Sequence, residues 1–414
     1  MRGNGRRGAG VIGRSVAEQW APVAACLLQQ ATRAGYHPTL PAPDRLSLAF
    51  IGNPGHILVQ RWVTFFARRG HTVAVLEGFG NRASAELDER IRVVRYDARG
   101  SVRLPFASAL HARRAVRGIL RQLKPDVVHA HTVRPYGWQA GLAGYHPYVV
   151  STWGSDVLLP PPGWRARFWQ RRTLSEADLV TAVSPYMGAA AIRGGAVADR
   201  VVEIQFGVDT RRYVPATVPS ASLRRLGIDE RPFVFSPRAV KPLYNHETIL
   251  EAFARVGRGH QLVMTSRNAE PDHLERLLAG IMRQGFRDQV VIVEDATDDD
   301  MLALYQGAAV VVSAPLSDSF PISLLEAMAC GTPVVVGDLP PIRAVLEAAV
   351  PTSIVPTRDA EAMSAALRRT LEMPPEQRRR LGATLRELAV RSADYESNML
   401  RMEGLYRDLA ARRA

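Results

Sequence analysis

The chain has 414 residues, 47% of them hydrophobic, and a formal net charge of +13. That length admits two α/β domains of roughly 100–200 residues each, and the hydrophobic content excludes wholesale disorder. Two cysteines, Cys26 and Cys330, exclude a disulfide framework and read as reduced thiols. The basic excess favours an anionic partner, but the basic residues are spread rather than blocked and no nucleic-acid motif occurs, so no nucleic-acid partner is expected. No run of roughly 18 apolar residues is present, so no membrane span is expected.

Residues 1–45 read as a flexible or helical extension. A basic start precedes the apolar run Trp20 to Leu28 and resembles a signal peptide. Pro22 interrupts it and no convincing cleavage site follows, so a short surface helix or an overlong start fits better. From Leu46 the chain alternates strand and helix. Strands are expected at 46–51, 72–76, 91–95, 127–130, 148–151, 179–183 and 201–204, with helices at 60–69 and 106–122 between them. Short, near-continuous apolar strands of this kind belong to a parallel sheet covered on both faces. The pattern breaks over 209–231 and resumes with strands at 232–236, 261–265, 290–293, 309–313 and 333–336. Residues 232–390 form a second α/β unit. A polar helical region follows, with 391–414 expected to return toward the first unit, residues 46–208. The fold class is α/β: two Rossmann-like, doubly wound domains facing across a cleft, with ligands outside the carboxyl ends of the strands.

The segment Asp318 to Val335 carries the clearest chemistry. It reads as a loop, a helix starting near Ile322, and a strand from Pro333, with Gly331 ending the helix. A loop feeding a helix N-terminus is a ready site for a diphosphate. Glu326 lies one turn into the helix and Asp318 sits on the loop before it. Ser236 to Lys241 follows the first strand of the second unit. This puts Arg238 and Lys241 where a departing diphosphate needs cations. Asp298, Asp299 and Asp300 fit a helix start, whose dipole acids complement, rather than a metal site.

These residues resemble the family-4 retaining glycosyltransferases, a GT-B family whose motif reads Glu-Gly-Phe-Gly-Leu-Pro-Leu-Leu-Glu. Here Asp318 takes the place of the first glutamate, while Leu324 to Pro333 matches closely. The resemblance implies that Glu326 binds the donor's ribose and that Asp318, Ser319, Phe320, Pro321 and Ile322 line the donor sugar. It also implies an arginine at Arg238 and a lysine five residues on. That position holds Leu243, so Lys241 is the nearest substitute. Lys124 to His131 resembles the family's Asp-Val-Val-His-x-His run, which implies that His131 faces the cleft just past a strand, with His129 packed behind it. Ser151 to Asp156 resembles Thr-x-His-Gly-x-Asp, with Trp153 at the histidine. Trp153, Asp156 and His56 are acceptor-side candidates, with a plain turn as the other reading of 151–156. Gly52 to His56 stands at the family's glycine-rich loop, and Gly55 would let backbone approach the donor phosphate. It is not a dinucleotide fingerprint.

The resemblance implies transfer of a sugar from a UDP- or GDP-linked donor to a sugar, lipid-linked or small-molecule acceptor, with retained anomeric configuration and no metal or other cofactor. A non-catalytic GT-B scaffold in a polysaccharide-assembly complex is the alternative, and a nucleotide-sugar epimerase a more distant one. The expected location is cytoplasmic, or peripheral at the inner membrane face. Trp164 to Arg172 reads either as a basic amphipathic helix for a membrane surface or as an ordinary solvated helix.

Overall fold

Alternating apolar strands and helices with good end signals assemble into two parallel sheets in the computed structural model, which describes residues 45–413 except 83–86, 99–104, 160, 162, 258 and 284. The N-terminal extension, with Cys26 and the Trp20 to Leu28 run, lies outside the described residues. The first sheet contains β1 (Ser47–Ile51), β2 (Thr72–Glu77), β3 (Arg92–Arg95), β4 (Val127–His131), β5 (Tyr148–Thr152), β6 (Leu179–Ala182) and β7 (Val201–Glu203). Their order is β3-β2-β1-β4-β5-β6-β7. The second contains β8 (Phe233–Ser236), β9 (Gln261–Thr265), β10 (Val290–Val293), β11 (Val310–Ser313), β12 (Val334–Gly337) and the two-residue β13 (Ile354–Val355), in the order β10-β9-β8-β11-β12-β13. All pairings within the two sheets are parallel.

In each sheet the strand order reverses at one place, between β1 and β4 and between β8 and β11. Those switch points open crevices at the strand carboxyl ends. The loops after β1, β4, β8 and β11 are the ones that carry the candidate residues.

Local signals set several boundaries. His56 caps the helix Ile57–Arg68, accepting the Leu58 amide on Nδ1 at 3.2 Å, so this helix starts three residues earlier than its apolar pattern predicts. Thr297 and Asp300 form a reciprocal capping box at the helix Asp298–Gly307, so the acidic triplet opens a helix. Gly331, at φ +69°, follows the end of the helix Ile322–Ala329.

The chain crosses between the sheets twice. The Val208 amide donates to Ala393 O at 2.8 Å and the Tyr395 amide to Val208 O at 3.0 Å, binding the two crossings together. Gly207 sits there at φ +77°, where an added Cβ would come within 2.6 Å of Tyr395 Cα, so only glycine fits. The helix Pro375–Ala393 buries Leu385 and Ala389 in the second core. The helix Tyr395–Ala411 buries Met399, Met402, Tyr406 and Leu409 beneath the first sheet. Leu400 on the same helix points outward and is 41% exposed.

Candidate functional site

Arg238 and Asp318 meet across the β8–β11 switch point. Arg238 Nη2 donates to Asp318 Oδ2 at 2.7 Å, and Nη1 reaches Ser323 Oγ at 3.4 Å. The guanidinium lies over the Tyr244 ring, 4.1 Å from its centroid. The Ser319 amide donates to Asp318 Oδ1 at 2.8 Å. Both charged side chains are about five-sixths buried. Burial pushes the Asp318 carboxyl above the usual range, opposed by Arg238 and the Ser319 amide. The helix Ile322–Ala329 opens beside this pair on Pro321, which supplies no side-chain cap. The positive end of its dipole is therefore left for an anion.

One turn into that helix, burial raises the Glu326 carboxyl. The phenols of Tyr305 and Tyr213 and the charge of Arg61 oppose the shift. The buried Tyr305 hydroxyl has no hydrogen-bond partner, and it acts on Glu326 through its charge distribution. Arg61 belongs to the first sheet's helix Ile57–Arg68. It is fixed by a 2.9 Å bond to Gly207 O and by the Tyr395 ring at 4.5 Å. Ile322 packs against the first sheet's core, and Ser319 Cβ lies 3.8 Å from where a Cβ on Gly154 would stand. The two sides of the cleft therefore touch at the donor-type loop.

On the first sheet, His131 is the last residue of β4 rather than the residue beyond it, and it is fully buried. Trp62 and Trp153 meet it edge-on with centroids at 5.2 and 5.5 Å, and Phe50 lies at 5.5 Å. Neither ring nitrogen has a hydrogen-bond partner. The expected cleft-facing imidazole is thus sealed, because the tryptophan at the usual histidine position covers it. His129 stacks on His131 at 4.6 Å, and its nitrogens contact the Tyr406 hydroxyl and Ser151 Oγ, the latter at 2.7 Å. Burial lowers His131 to about 3 and His246 to about 4, and drives His129 well below its ordinary 6.5.

These depressed values give a pH prediction. The unfolded chain takes up protons near pH 6.5 that the folded histidines refuse. Stability is therefore full above about 6.5 and falls as pH drops toward the folded values, by up to ~1.4 kcal/mol per pH unit for each such histidine. Urea unfolding at pH 7, 6 and 5 checks this. His131→Leu should lose less stability on acidification than the parent, and an unchanged slope would place a proton on His131 in the folded state.

Other expected site residues take different places. Asp156 is buried, and its oxygens accept the amides of Val133 at 2.9 Å, Trp153 at 3.0 Å and Gly154 at 2.8 Å. It shapes the loop after β5 and is committed to backbone rather than open to an acceptor. Phe320 is 1% exposed and belongs to the second sheet's core, so its side chain packs under the loop rather than lining the cleft. Trp153 stays partly exposed, 5.1 Å from His56 and 5.6 Å from Phe206. Gly55 is exposed, and a Cβ there would stand 2.6 Å from Arg82 O, so the loop needs glycine for its own closure. Lys241 is half-buried and makes no ion pair among the described residues, and Leu243 is exposed.

Residues 47–184 match the family described as glycosyl transferase 4-like, and residues 221–387 match glycosyl transferases group 1. Residues 221–387 belong to the group 1 glycosyltransferase family. A D-inositol 3-phosphate glycosyltransferase of Salinispora arenicola is 30% identical to this chain over 247 residues, covering 51% of this chain and 53% of that protein. The chain spans about half the length of the curated relatives it matches. A glycosyltransferase from Rickettsia africae superposes with a TM-score of 0.75 at 16% identity, covering 89% of this chain and 99% of that one. Anabaena HepE in complex with UDP and glucose superposes at 0.71 with 18% identity, covering 88% and 100%. These structures establish the two-domain GT-B fold.

The sequence motifs do not single out Tyr213, Tyr305, Tyr244 or Arg61. Tyr213, Tyr305 and Arg61 reach the site only through the packing of distant elements, whereas Tyr244 folds back on Arg238 from six residues along the same loop.

Proposed function

We propose that this protein is a retaining glycosyltransferase moving a sugar from a UDP- or GDP-linked donor to the hydroxyl of a glycan, lipid-linked or small-molecule acceptor. The arrangement of Arg238, Asp318 and Glu326 around the start of the helix Ile322–Ala329 carries this reading. The bond between donor C1 and the diphosphate oxygen breaks. Arg238 and the helix amides stabilise the charge arriving on that oxygen. The acceptor hydroxyl attacks C1 on the face the diphosphate leaves, and its proton passes to the departing phosphate. Glu326 accepts from the donor's ribose hydroxyls, and Asp318 is within the loop that holds the sugar. Arg238 leaves or shares Asp318 when donor binds. No metal enters this scheme, because Arg238 and the helix carry the charge.

No helix among the described residues is long and apolar enough to cross a membrane. A peripheral contact has support in the helix Gly163–Glu176, where Trp164 and Phe168 are exposed beside Arg165 and Arg172.

A thermal-shift screen against UDP- and GDP-sugars tests the function. A ligand at a hundred times its Kd should stabilise the chain by about 2.7 kcal/mol. Glu326→Ala should weaken that ligand by roughly 1.5–3 kcal/mol, about 10- to 150-fold, through the lost charged hydrogen bonds. If no nucleotide sugar raises the melting temperature, the reading is wrong.

A further inference from the structure

The cleft at the donor-type loop has two unlike walls. One is the loop 318–322 itself, with the Asp318 carboxylate, Ser319 and the amides that open the helix Ile322–Ala329. The other belongs to the first sheet, where Trp153 and Gly154 stand against that loop. Ser319 Cβ lies 3.8 Å from where a Cβ on Gly154 would be, and Ile322 and Trp153 pack against the same core cluster. The motif position of Trp153 suggests the acceptor side, but this packing sets the residue beside the loop for the sugar.

Two observations make the first-sheet wall an apolar one. First, the Trp153 indole is fixed yet open. Its amide donates to Asp156 Oδ1 at 3.0 Å, and its ring meets His56 at 5.1 Å, His131 at 5.5 Å and Phe206 at 5.6 Å. The residue stays partly exposed, so an occupant meets an aromatic face already in place. Second, the polar groups around it are engaged. Asp156 serves three backbone amides. Ser151 Oγ bonds to His129 Nε2 and to Thr181 Oγ1, each at 2.7 Å, and Thr152 Oγ1 donates to Thr181 O at 3.2 Å. His131 is fully buried behind the indole. His56 accepts the Leu58 amide on Nδ1, which leaves its other ring nitrogen for one sugar hydroxyl.

A hydroxyl turned toward such a wall gives up its water partners and gains none, which weakens binding. A hydrogen or methyl in its place buries apolar surface on the indole instead. A pyranose carries its C2, C3 and C4 hydroxyls along one edge and its C5 substituent beyond them. With C1 at the diphosphate and the hydroxyl edge on Asp318 and Ser319, the C5 substituent is left against Trp153. We propose that Trp153 selects the donor and that the donor sugar lacks the C6 hydroxyl, being a 6-deoxyhexose or a pentose. The proposal rests on the glycosyl-transfer reading above and specifies its donor.

Isothermal titration of the full chain with matched donors tests it. UDP-glucose is compared with UDP-6-deoxyglucose and UDP-xylose, and GDP-mannose with GDP-6-deoxymannose, with UDP and GDP as controls. The deoxy or pentose donor should bind roughly 10- to 100-fold more tightly than its hexose, the discrimination an apolar pocket makes against an added hydroxyl. Trp153→Phe should keep that ratio. Trp153→His, which places a hydrogen-bonding ring there, should lower it by about tenfold or more. A purely structural defect weakens both members of a pair alike and leaves the ratio standing, so the ratio is the readout. Four results overturn the proposal and leave the glycosyl-transfer reading in place: equal affinity within the pairs, tighter binding of the hexose, a ratio lost in Trp153→Phe, or a ratio unmoved in Trp153→His. Binding of UDP or GDP with none of these sugars, or no binding at all, removes both.

Discussion

Replacing Arg238 with alanine is expected to slow glycosyl transfer by 10²- to 10³-fold, about 3–4 kcal/mol in the barrier. The argument starts from the placement of the guanidinium. It is mostly buried, stacked on Tyr244 and bonded to Asp318. A cation held this way needs little reorganisation when negative charge reaches the leaving oxygen. Removing it also strands the Asp318 carboxyl, whose pKa burial already raises. The stranded acid should then hold its proton nearer neutrality, with a donor-sugar contact altered as a consequence. Two effects are thus mixed in the single variant, and Asp318→Asn separates them. If the cation matters most, Arg238→Ala and Arg238→Ala/Asp318→Asn should be similarly slow, with the loss in kcat rather than in donor KM. Arg238→Lys should recover only part of the rate, because an ammonium cannot reproduce the planar, stacked fork. Steady-state nucleotide release measures all four variants. Near-parental turnover in Arg238→Ala would remove this residue from the chemistry.

The largest effect on stability is expected at Glu403. Its carboxylate is 5% exposed and takes hydrogen bonds from Arg69 at 2.6 Å and Arg407 at 2.7 Å, with His71 at 3.1 Å. His71 in turn accepts the Leu46 amide at 3.0 Å. The group ties the C-terminal helix Tyr395–Ala411 to the first strand of the sheet. Glu403→Ala is expected to cost roughly 3 kcal/mol, the low end for breaking a buried pair, because Arg69 and Arg407 can turn toward water. The loss should appear in chemical denaturation as a lower midpoint. The arginines hold the Glu403 carboxyl below the ordinary glutamate range despite burial. Its contribution is therefore present above the ordinary carboxylate pKa and is lost as pH falls through the lowered value. The gap between parent and variant should be wide at pH 7 and narrow in strong acid. A constant gap at all pH values would mean that packing, not charge, holds the helix down.

Much of the scaffold was readable in short windows. Runs such as 46–51 and 310–313 are apolar, β-branched and bounded by turn residues, so they declare buried parallel strands. Asp298 to Asp300 after Thr297 declares a helix start, and Gly331-Thr-Pro333 a helix end. The order of the motifs around Arg238, Asp318 and Glu326 pointed to the family. The strand β13 has no sequence signature, because two residues carry no period. Phe320 and Asp156 stand in motif positions, which by themselves suggest ligand contacts. The first fills the core under its own loop, and the second spends its oxygens on three backbone amides.

By itself, then, the sequence determined the alternation of elements, the two-sheet α/β class and the loops that meet at the switch points, since periodicity and end signals act over a few residues. Tertiary structure alone decided which of those loop residues are open to a substrate. The seal of Trp153 over His131 depends on two strands and a helix converging. The contact between His129 and Tyr406 joins positions 277 residues apart. The tyrosines around Glu326 and the unpartnered nitrogens of His131 arise in the same way. Burial and hydrogen-bond satisfaction are properties of the packed whole, and no local pattern encodes which polar atom is left without a partner.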